Sequence, residues 1–347
     1  MNGFGLIEES IQNIHLNIMI VFALPFFVVS SFSDFFGTEN PTVYTGFNPL
    51  ISFGVGAFYL QRCLFNELSS KAILFQNEQS VSFMMEQVSL IKCNSNTLGG
   101  ALDFQSSNGA SVLNKVCGFG CSASGANANF GHIKAGNAKM SKILMTSISK
   151  CTPSSHIGFF SLALNSGIET INHMNSSNHF CNSYTGFYCY QSRGMNFSFS
   201  TLSSNKASAD MCIGYHFATE KGNVEYCNII NNNSPGASYA VIYNGGSSND
   251  FNHCCFLNNQ NILLTIVSSG VVKVFNCYII HDAASISSGG GFTFINITYQ
   301  TFILTHYYYA SNECEAEITL EQEPTITLHP PSYITRESYY LILLINV

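Results

Sequence analysis

The chain has 347 residues, a net charge of −7 and a charged fraction of only 10%. Typical domains carry about 25% charged residues, and a hydrophobic fraction of 46% excludes a disordered chain. With 13 Lys and Arg in total, the chain also lacks the basic surface of a nucleic-acid-binding protein. The sequence contains no CxxC pair and no paired Cys and His of zinc spacing, so we predict neither a metal nor a cofactor.

The first predicted element is an apolar run over residues 16–32, LNIMIVFALPFFVVSSF. A signal peptide has such an apolar core, but its positively charged start is missing, because no Lys or Arg occurs before Arg62. We therefore predict that residues 1–35 are a signal peptide, a signal anchor or a cap over the open end of a repeat fold. Residues 36–57 are predicted to continue the cap region. A signal or an anchor would place the protein at the cell surface or outside the cell.

A nine-residue motif returns about every 27 residues within residues 58–305. Its position 0 is apolar, position +3 is Cys or apolar, position +5 is mostly apolar, and position +8 is most often Asn. Nearly clean copies start at Val224, Phe251 and Val274. Weaker copies start at Phe58, Val88, Val112, Ile143, Ile171 and Phe197. Self-similarity at such a period indicates a solenoid of stacked repeats.

A second extended segment lies between successive motifs, often near Gly, as in GGALDF from Gly99 and TGFYCY from Thr185. Val, Ile, Phe, Tyr and Thr favour strands, and Gly, Asn and Ser favour the corners between them. Two or three short strands per repeat predict an all-β parallel β-helix of about nine rungs. A leucine-rich-repeat solenoid is the alternative, because its skeleton has the same apolar and Asn positions.

Position +8 predicts a structural Asn ladder. Asn tolerates the left-handed region and bonds nearby backbone, so it is expected to turn the chain there. Stacked copies are also expected to bond to each other through their amides. The predicted ladder residues are Asn66, Asn96, Asn205, Asn232, Asn259 and Asp282.

Thirteen cysteines allow two interpretations. In the first, they are small apolar core residues stacked in columns. In the second, some form disulfides, because strands lie about 4.8 Å apart and disulfides join Cα atoms about 4.4–6.8 Å apart. The columns assigned from the sequence are Cys227, Cys254 and Cys277 at position +3, and Cys63, Cys93 and Cys117 at position +5.

The sequence gives little support to a catalytic site. Polysaccharide-cleaving enzymes on parallel β-helices need paired carboxylates, or carboxylates that hold calcium beside a base. The chain has five Asp, none adjacent in sequence, and we predict no catalytic residues. The best polar cluster is Asp250, His253, Lys273 and His281, beside Asp282. Asp250 and Lys273 precede position 0 of neighbouring repeats, where an exposed ion pair would explain them.

Four N-glycosylation sequons support a luminal route, at Asn175, Asn196, Asn232 and Asn296. Residues 306–347 are predicted to leave the solenoid as an acidic and Pro-containing linker with an apolar end. That end, YYLILLINV, is shorter than the roughly 20 residues of a membrane helix. It is either the start of a truncated membrane segment or a last strand.

The repeats resemble the passenger repeats of polymorphic outer-membrane proteins, which alternate a Gly-Gly-Ala-apolar motif with a Phe-x-x-Asn motif. Residues 99–102, GGAL, match the first motif, and residues 256–259, FLNN, match the second. The pattern is also similar to that of Cys- and Asn-rich β-helix surface proteins of parasitic protists. These resemblances imply a right-handed, pectin-lyase-like β-helix at the cell surface or secreted, and they carry over no catalytic residue.

We therefore expect a non-catalytic surface scaffold that adheres to a glycan or a protein partner. The alternative is a carbohydrate-active enzyme, a lyase or a hydrolase, on the same fold. A purely structural protein without a ligand is the third hypothesis. A nucleic-acid partner is not expected, whereas membrane anchoring at one terminus is compatible with the apolar ends.

Overall fold

The structure is a computed structural model. It describes residues 31–49, 51, 54–77, 79–124, 128–152, 159–209, 211–216, 220–234, 240–246, 248–267, 270–280, 287–288, 291–299, 303–304 and 306. The chain divides into two compact units, Met1–Asn40 and Pro41–Val347.

The described part of the first unit contains one short helix, α1 (Phe32–Phe36). Ser31 caps its start, where the main-chain N–H of Ser31 donates to the Asp34 carboxylate at 2.6 Å. The helix ends at Gly37, whose φ of 68° leaves the helical region without a steric penalty. The predicted signal or anchor over residues 16–32 lies almost wholly outside the described residues.

The second unit is built from parallel strands. In chain order they are β1 (Thr42–Phe47), β2 (Gly56–Asn66), β3 (Ile73–Asn77), β4 (Val81–Ile91), β5 (Asn94–Ser95), β6 (Leu102–Ser106), β7 (Ala110–Phe119), β8 (Ser122–Ala123), β9 (Gly131–Lys134), β10 (Met140–Ser149), β11 (Leu162–Asn165), β12 (Ile168–Ser177), β13 (Phe180–Cys181), β14 (Phe187–Tyr190), β15 (Gly194–Ser198), β16 (Thr201–Ser203), β17 (Lys206–Ala207), β18 (Ile213–His216), β19 (Gly222–Glu225), β20 (Asn228–Ile230), β21 (Ala240–Gly245), β22 (Asn249–Asn252), β23 (Cys255–Leu257), β24 (Ile262–Val267), β25 (Val272–Phe275), β26 (Tyr278–Ile279), β27 (Ser287–Ser288) and β28 (Phe292–Ile295).

These strands form two long sheets. The first sheet has 15 strands and follows the path β1-β2-β4-β7-β10-β12-β15-β19-β22-β25-β28, with the short strands β16, β20, β23 and β26 continuing the turns after β12. The second sheet has nine strands, in the order β27-β24-β21-β18-β14-β11-β9-β6-β3. Two small sheets pair β5 with β8 and β13 with β17. Successive turns of one coil thus stack in register, and the predicted all-β parallel solenoid is confirmed.

The core lies inside the coil, where position 0 supplies one fully buried side chain per turn from β2 to β25. Burying such a side chain stabilises the fold by about 1.5–3 kcal/mol. Strand pairing aligns Ile143 with Ile171, and Val224 with Phe251. The members of this column from β2 to β25, each 0% exposed, are Leu60, Met85, Leu113, Ile143, Ile171, Phe197, Val224, Phe251 and Val274.

This column corrects the repeat assignment in the first three turns. The sequence placed position 0 at Phe58, Val88 and Val112, whereas strand pairing places it at Leu60, Met85 and Leu113. The long strands β2, β4 and β7 carry inward apolar side chains both before and after position 0, so several starting points fit equally well. From Ile143 to Val274 the assigned and observed positions agree.

Two left-handed corners recur along the described turns of the first sheet. At position +2, ten non-Gly residues have φ between 46 and 55°: Arg62, Gln87, Lys115, Met145, His173, Phe199, Tyr226, His253, Asn276 and Asn296. At position +7, eight residues have φ between 48 and 62°: Glu67, Lys92, Gly120, Lys150, Asn178, Ser204, Asn231 and Asn258. The left-handed region costs a non-Gly residue about 1–2 kcal/mol, and ladder pairing on both sides of each corner holds it there.

The leucine-rich-repeat alternative is wrong, because the segments between the motifs form a second parallel sheet. The handedness and the rung number stay predictions. Each strand alternates inward and outward side chains, so the outward residues of a sheet also form columns along the coil axis. These outward columns are where a binding site must be sought.

Candidate functional site

Three of the predicted ladder residues, Asn205, Asn232 and Asn259, stack in one buried column at position +8. The main-chain N–H of Asn205 donates to Oδ1 of Asn232 at 3.1 Å, and that of Asn232 donates to Oδ1 of Asn259 at 3.0 Å. Each side-chain amide also donates to a carbonyl of the preceding turn, at 2.7–3.0 Å. The column therefore satisfies buried main-chain groups at the corner.

Cysteine and histidine occupy position +8 in earlier turns, as Cys93, Cys121, Cys151 and His179. The Cys121 thiol donates to the carbonyl of Leu90 at 3.2 Å, which is the same type of carbonyl that the Asn amides contact. Nδ1 of His179 accepts the main-chain N–H of Cys151 at 3.0 Å. Cys, His and Asn thus share a structural role, because each is buried and bonds to main-chain groups of a neighbouring turn.

Asn66 and Asn96 do not lie in this column, because the turns that contain them start at Leu60 and Met85. Asn66 is at position +6, where its main-chain N–H donates to the side chain of Asn48 at 3.0 Å, and Asn96 is exposed at position +11. Asp282 lies outside the described residues. The left-handed residue is at position +7, so Asn at position +8 bonds across turns instead of bending the chain.

The fold does not bring the described residues of the predicted polar cluster, Asp250, His253 and Lys273, together into one site. Asp250 and Lys273 are register partners on β22 and β25, but the Asp250 carboxylate forms its ion pair with Lys221. His253 belongs to a stack of rings, and His281 lies outside the described residues. The Lys221 side chain is 50% exposed, so this pair is worth less than about 1 kcal/mol.

The corner residues at position +2 form a ring stack along the coil axis. Ring centroids are 5.4 Å apart for His173 and Phe199, 5.2 Å for Phe199 and Tyr226, and 5.0 Å for Tyr226 and His253. The planes of neighbouring rings differ by only 2–16°, so the rings stack face to face. The faces between neighbouring rings therefore contact each other and not solvent. We name these four residues the corner stack.

The four sequons are placed differently. Asn175 and Asn232 are 1% and 0% exposed, and both make hydrogen bonds inside the fold. A glycan on either would require those bonds to break. Asn196 and Asn296 are exposed, and each bonds only to a neighbouring Asn side chain in the contacts described.

Eleven cysteines of the described residues are free thiols, and all eleven are buried. Cys227, Cys254 and Cys277 do share position +3, and strand pairing adds Cys63 to that column. The assignment of Cys63, Cys93 and Cys117 to a common position +5 is wrong, because their turns start at Leu60, Met85 and Leu113. Among the described residues, no group of three or more His, Cys, Asp or Glu could hold a metal ion.

The outward side of the second sheet carries a cluster of rings that sequence reasoning missed. We name it the aromatic face, and its members are Phe160, Tyr184, Tyr188, Tyr190, His216 and Tyr243. All six are half-buried and therefore still reach the surface. β14, β18 and β21 supply four of them, at alternating and therefore outward positions.

The rings of the aromatic face touch one another. Tyr188 lies 4.6 Å from Phe160 and 4.3 Å from Tyr184, measured between centroids. Tyr190 lies 5.4 Å from His216, and His216 lies 5.5 Å from Tyr243. Such contacts add about 0.5–1.5 kcal/mol per pair beyond burial, so the cluster is held in one arrangement.

Two glycines make room for these rings. A Cβ on Gly214 would lie 2.3 Å from the Tyr184 ring, and a Cβ on Gly245 would lie 2.2 Å from the His216 ring. Gly214 and Gly245 are outward residues of β18 and β21, so their missing side chains leave slots that the neighbouring rings fill. The rings therefore lie low against the backbone.

Two polar groups of the aromatic face, on Tyr188 and His216, are uncharged near neutral pH. The Tyr188 hydroxyl lies 3.2 Å from Nδ1 of His216. Burial, and then the neighbouring tyrosines Tyr184 and Tyr190, raise the pKa of Tyr188 well above its ordinary value. Burial lowers the pKa of His216, so its imidazole is neutral.

An ion-paired carboxylate continues the same outward column toward the N-terminal end of the sheet. Asp103 is fully buried and bonded to Lys71 at 2.8 Å, to Gln76 at 3.0 Å and to Gln105 at 2.9 Å, with His132 at 3.3 Å. Burial raises the pKa of Asp103, but the hydrogen bonds from His132, Lys71 and Gln105 outweigh it and leave the pKa below its ordinary value. Asp103 is thus ionised, and both of its carboxylate oxygens contact these neighbouring side chains.

One signal in the sequence could have found the aromatic face. Residues 187–190, FYCY, alternate inward Phe187 and Cys189 with outward Tyr188 and Tyr190. The neighbouring strands had to be aligned before His216 and Tyr243 could be added, and that alignment depends on loops of unequal length.

Among the described residues, no helix combines the length and the apolarity that a membrane crossing needs. Comparison of the chain with protein-family models, with curated proteins and with solved structures gives no match.

Proposed function

We propose that this protein is a non-catalytic β-solenoid that binds a neutral glycan through the aromatic face. The observation that carries the proposal is the group of six touching, half-buried rings on an outward sheet surface. A sugar ring has an apolar face of C–H groups, which packs on aromatic rings, and hydroxyl groups at its edge. Tyrosine offers both an apolar body and a polar handle.

Hydrogen-bonding groups border the rings on the side toward Asp103. Gln105, Lys134 and Asn165 precede Tyr190 in one outward column. None of the six aromatic-face residues carries a fixed charge, which favours a neutral glycan over an acidic one. A glycan that lies along the coil axis would meet rings first and amide groups next.

The remaining features of the proposal follow from the resemblance and from the sequence. We propose a right-handed, pectin-lyase-like coil that is displayed at the cell surface or secreted, where it acts in adhesion and carries glycans of its own. The apolar run at residues 16–32 supports this location, and the exposed sequons at Asn196 and Asn296 support modification on that route.

A carbohydrate-active enzyme on the same surface is the second candidate. It is favoured by the contact of Asp103 with His132 at the end of the aromatic face. Asp103 also holds Lys71 and two glutamines, so it would first have to exchange those partners before taking a proton. Release of reducing ends or unsaturated sugars from a bound polysaccharide, lost in Asp103→Asn, would establish this candidate.

The test is binding of the full chain to an array of neutral and acidic oligosaccharides, followed by titration of the best neutral binder. We expect Tyr188→Ala and Tyr243→Ala to weaken binding at least tenfold, because central aromatic contacts contribute more than about 1 kcal/mol each. Tyr226→Ala removes a ring from the corner stack and is the matched control. Equal loss in all three variants, or binding of acidic sugars alone, would overturn the proposal.

A further inference from the structure

The first sheet has an open strand at each end of the described coil. β1 is its first strand and β28 its last, and among the described residues each pairs with a neighbour on one side only. The outer edge of such a strand presents main-chain N–H and C=O groups that can pair with another strand. Natural proteins commonly block an edge with a charged residue or with Pro. β1, with the sequence TVYTGF, and β28, with the sequence FTFI, contain neither.

Exposed apolar side chains are concentrated at the same two ends of the described coil. Three lie between residues 43 and 55 and seven lie after residue 266, whereas only three lie in all the turns between. The terminal repeats of a soluble solenoid normally have a polar outer face, so this distribution indicates that each end is covered by a partner. The first group is Val43, Phe47 and Val55, the last group is Val267, Val271, Ile280, Phe294, Ile295, Tyr299 and Ile303, and the three between are Leu74, Ile168 and Phe199.

Inward positions of both end strands are left partly uncovered. Strand pairing places Phe294 at position 0, beside Val274. Val274 has a strand on both sides and is 0% exposed, whereas Phe294 has a strand on one side and is 38% exposed. At the other end, Thr42 is exposed, although its register partner Phe58 faces inward and is only 4% exposed. One further turn at each end would bury these positions.

The geometry of the sheet selects a second copy of this chain as the partner. Both end strands pair in parallel with the strand beside them, so all strands along the path of the first sheet run in one direction. Two β28 edges that face each other would pair antiparallel, or would set the inner face of one coil beside the outer face of the other. The β1 edge of a second copy instead continues both the strand direction and the inner face.

We propose that copies of this chain stack head to tail, with β28 of one copy paired in parallel to β1 of the next. Phe292 then lies beside Thr42 and Phe294 beside Tyr44, so that position 0 continues from one copy into the next. The regular part of β1, before its register shift, covers residues 42–44 and matches these positions. Because the contact joins unlike ends, it repeats and the assembly grows as a filament. Each added copy brings another aromatic face, a consequence that rests on the proposed function.

The first test is the mass of the purified full chain, measured by multi-angle light scattering over a series of protein concentrations. We expect a mass that exceeds that of a dimer at the highest concentrations and falls on dilution, because a head-to-tail contact has no closed end point. A mass of one chain at every concentration, or growth that stops at a dimer, would overturn the proposal.

The second test blocks one end at a time. Thr42→Lys and Phe294→Lys each put a charge at an inward position that only stacking buries, so each variant alone should be monomeric. An equal mixture of the two should form dimers and nothing larger, because each variant supplies the intact end that the other lacks.

Ile168→Lys, at an exposed apolar position of a middle turn, is the matched control and should assemble like the wild-type chain. Circular dichroism establishes that each variant is folded before its mass is measured. Assembly of either blocked variant alone, or a mixture of folded variants that stays monomeric, would overturn the head-to-tail contact.

Discussion

Nδ1 of His179 accepts the main-chain N–H of Cys151 at 3.0 Å, the bond that Asn232 and Asn259 make to the preceding turn with Oδ1. Nδ1 can accept only in the neutral imidazole, and Nε2 lies 3.1 Å from the hydroxyl of Ser176. Burial lowers the pKa of His179 from 6.5 to about 3. A histidine is thus used as an uncharged substitute for asparagine.

This relationship predicts an acid sensitivity. The folded pKa of His179 is below the unfolded value, so the unfolded chain binds the proton first, and stability is lost as pH falls from 6.5 toward about 3. We expect His179→Asn to keep the bond and to reduce the drop in urea midpoint between pH 7 and pH 5. An unchanged drop would contradict the role of His179, and the wild-type chain at both pH values is the reference.

Glu169 predicts a sensitivity of opposite sign. It is 1% exposed in the core, neither carboxyl oxygen makes a hydrogen bond of normal geometry, and Ser141 offsets only part of the burial that raises its pKa from 4.5 to about 8. The folded chain holds the proton longer, so stability falls as pH rises from 4.5 to about 8, by a few kcal/mol (~1.4 kcal/mol per pKa unit).

We expect Glu169→Gln to flatten that alkaline loss, measured as urea midpoints between pH 5 and pH 8.5. Glu67→Gln is the control, because the Glu67 side chain is 62% exposed. If both variants lose stability with rising pH as steeply as the wild-type chain, the Glu169 carboxyl is not the cause of that loss.

Gly214 tests the packing of the aromatic face without removing a ring. A Cβ there would come within 2.3 Å of Tyr184 and 2.8 Å of Tyr188, so Gly214→Ala must displace them and is expected to cost about 1–3 kcal/mol. Glycan binding should weaken in parallel. At Gly131, in the same sheet, the nearest atom to a new Cβ is 3.5 Å away, so Gly131→Ala should change the thermal midpoint little. Equal effects of Gly214→Ala and Gly131→Ala on the thermal midpoint would contradict the conclusion that the neighbouring rings need a glycine at position 214.

The Asn column predicts a large cost for one small deletion. Asn232→Ala leaves the main-chain N–H of Asn205 and the carbonyl of Leu202 buried without their partners. Each unsatisfied buried group costs about 1–3 kcal/mol, so we expect a loss of about 2–5 kcal/mol in chemical unfolding. Asn196→Ala, at an exposed position of the same sheet, should stay within about 0.5 kcal/mol. A mild effect at Asn232 would mean that water replaces its bonds.

The sequence was sufficient for the fold and for the later turns, and insufficient for the candidate site. The spacing from Ile143 to Val274 is regular and each turn has one short inward motif, so periodicity located position 0. In β2 and β4 the apolar residues continue past the motif, and Val88 therefore looked like a start although it lies at position +3. The aromatic face joins Tyr188, His216 and Tyr243 across three turns, and only the pairing of their strands brings them together.

The residue type at position +8 changes along the coil axis. It changes from thiols at Cys93, Cys121 and Cys151, through His179, to amides at Asn205, Asn232 and Asn259. The early turns depend there on weak thiol hydrogen bonds and on apolar burial, which weakens on cooling, and the later turns depend on stronger amide hydrogen bonds between turns. Because strand pairing joins each turn only to its neighbours, the two ends of the solenoid can differ in local stability, and cooling should loosen the thiol end before the amide end.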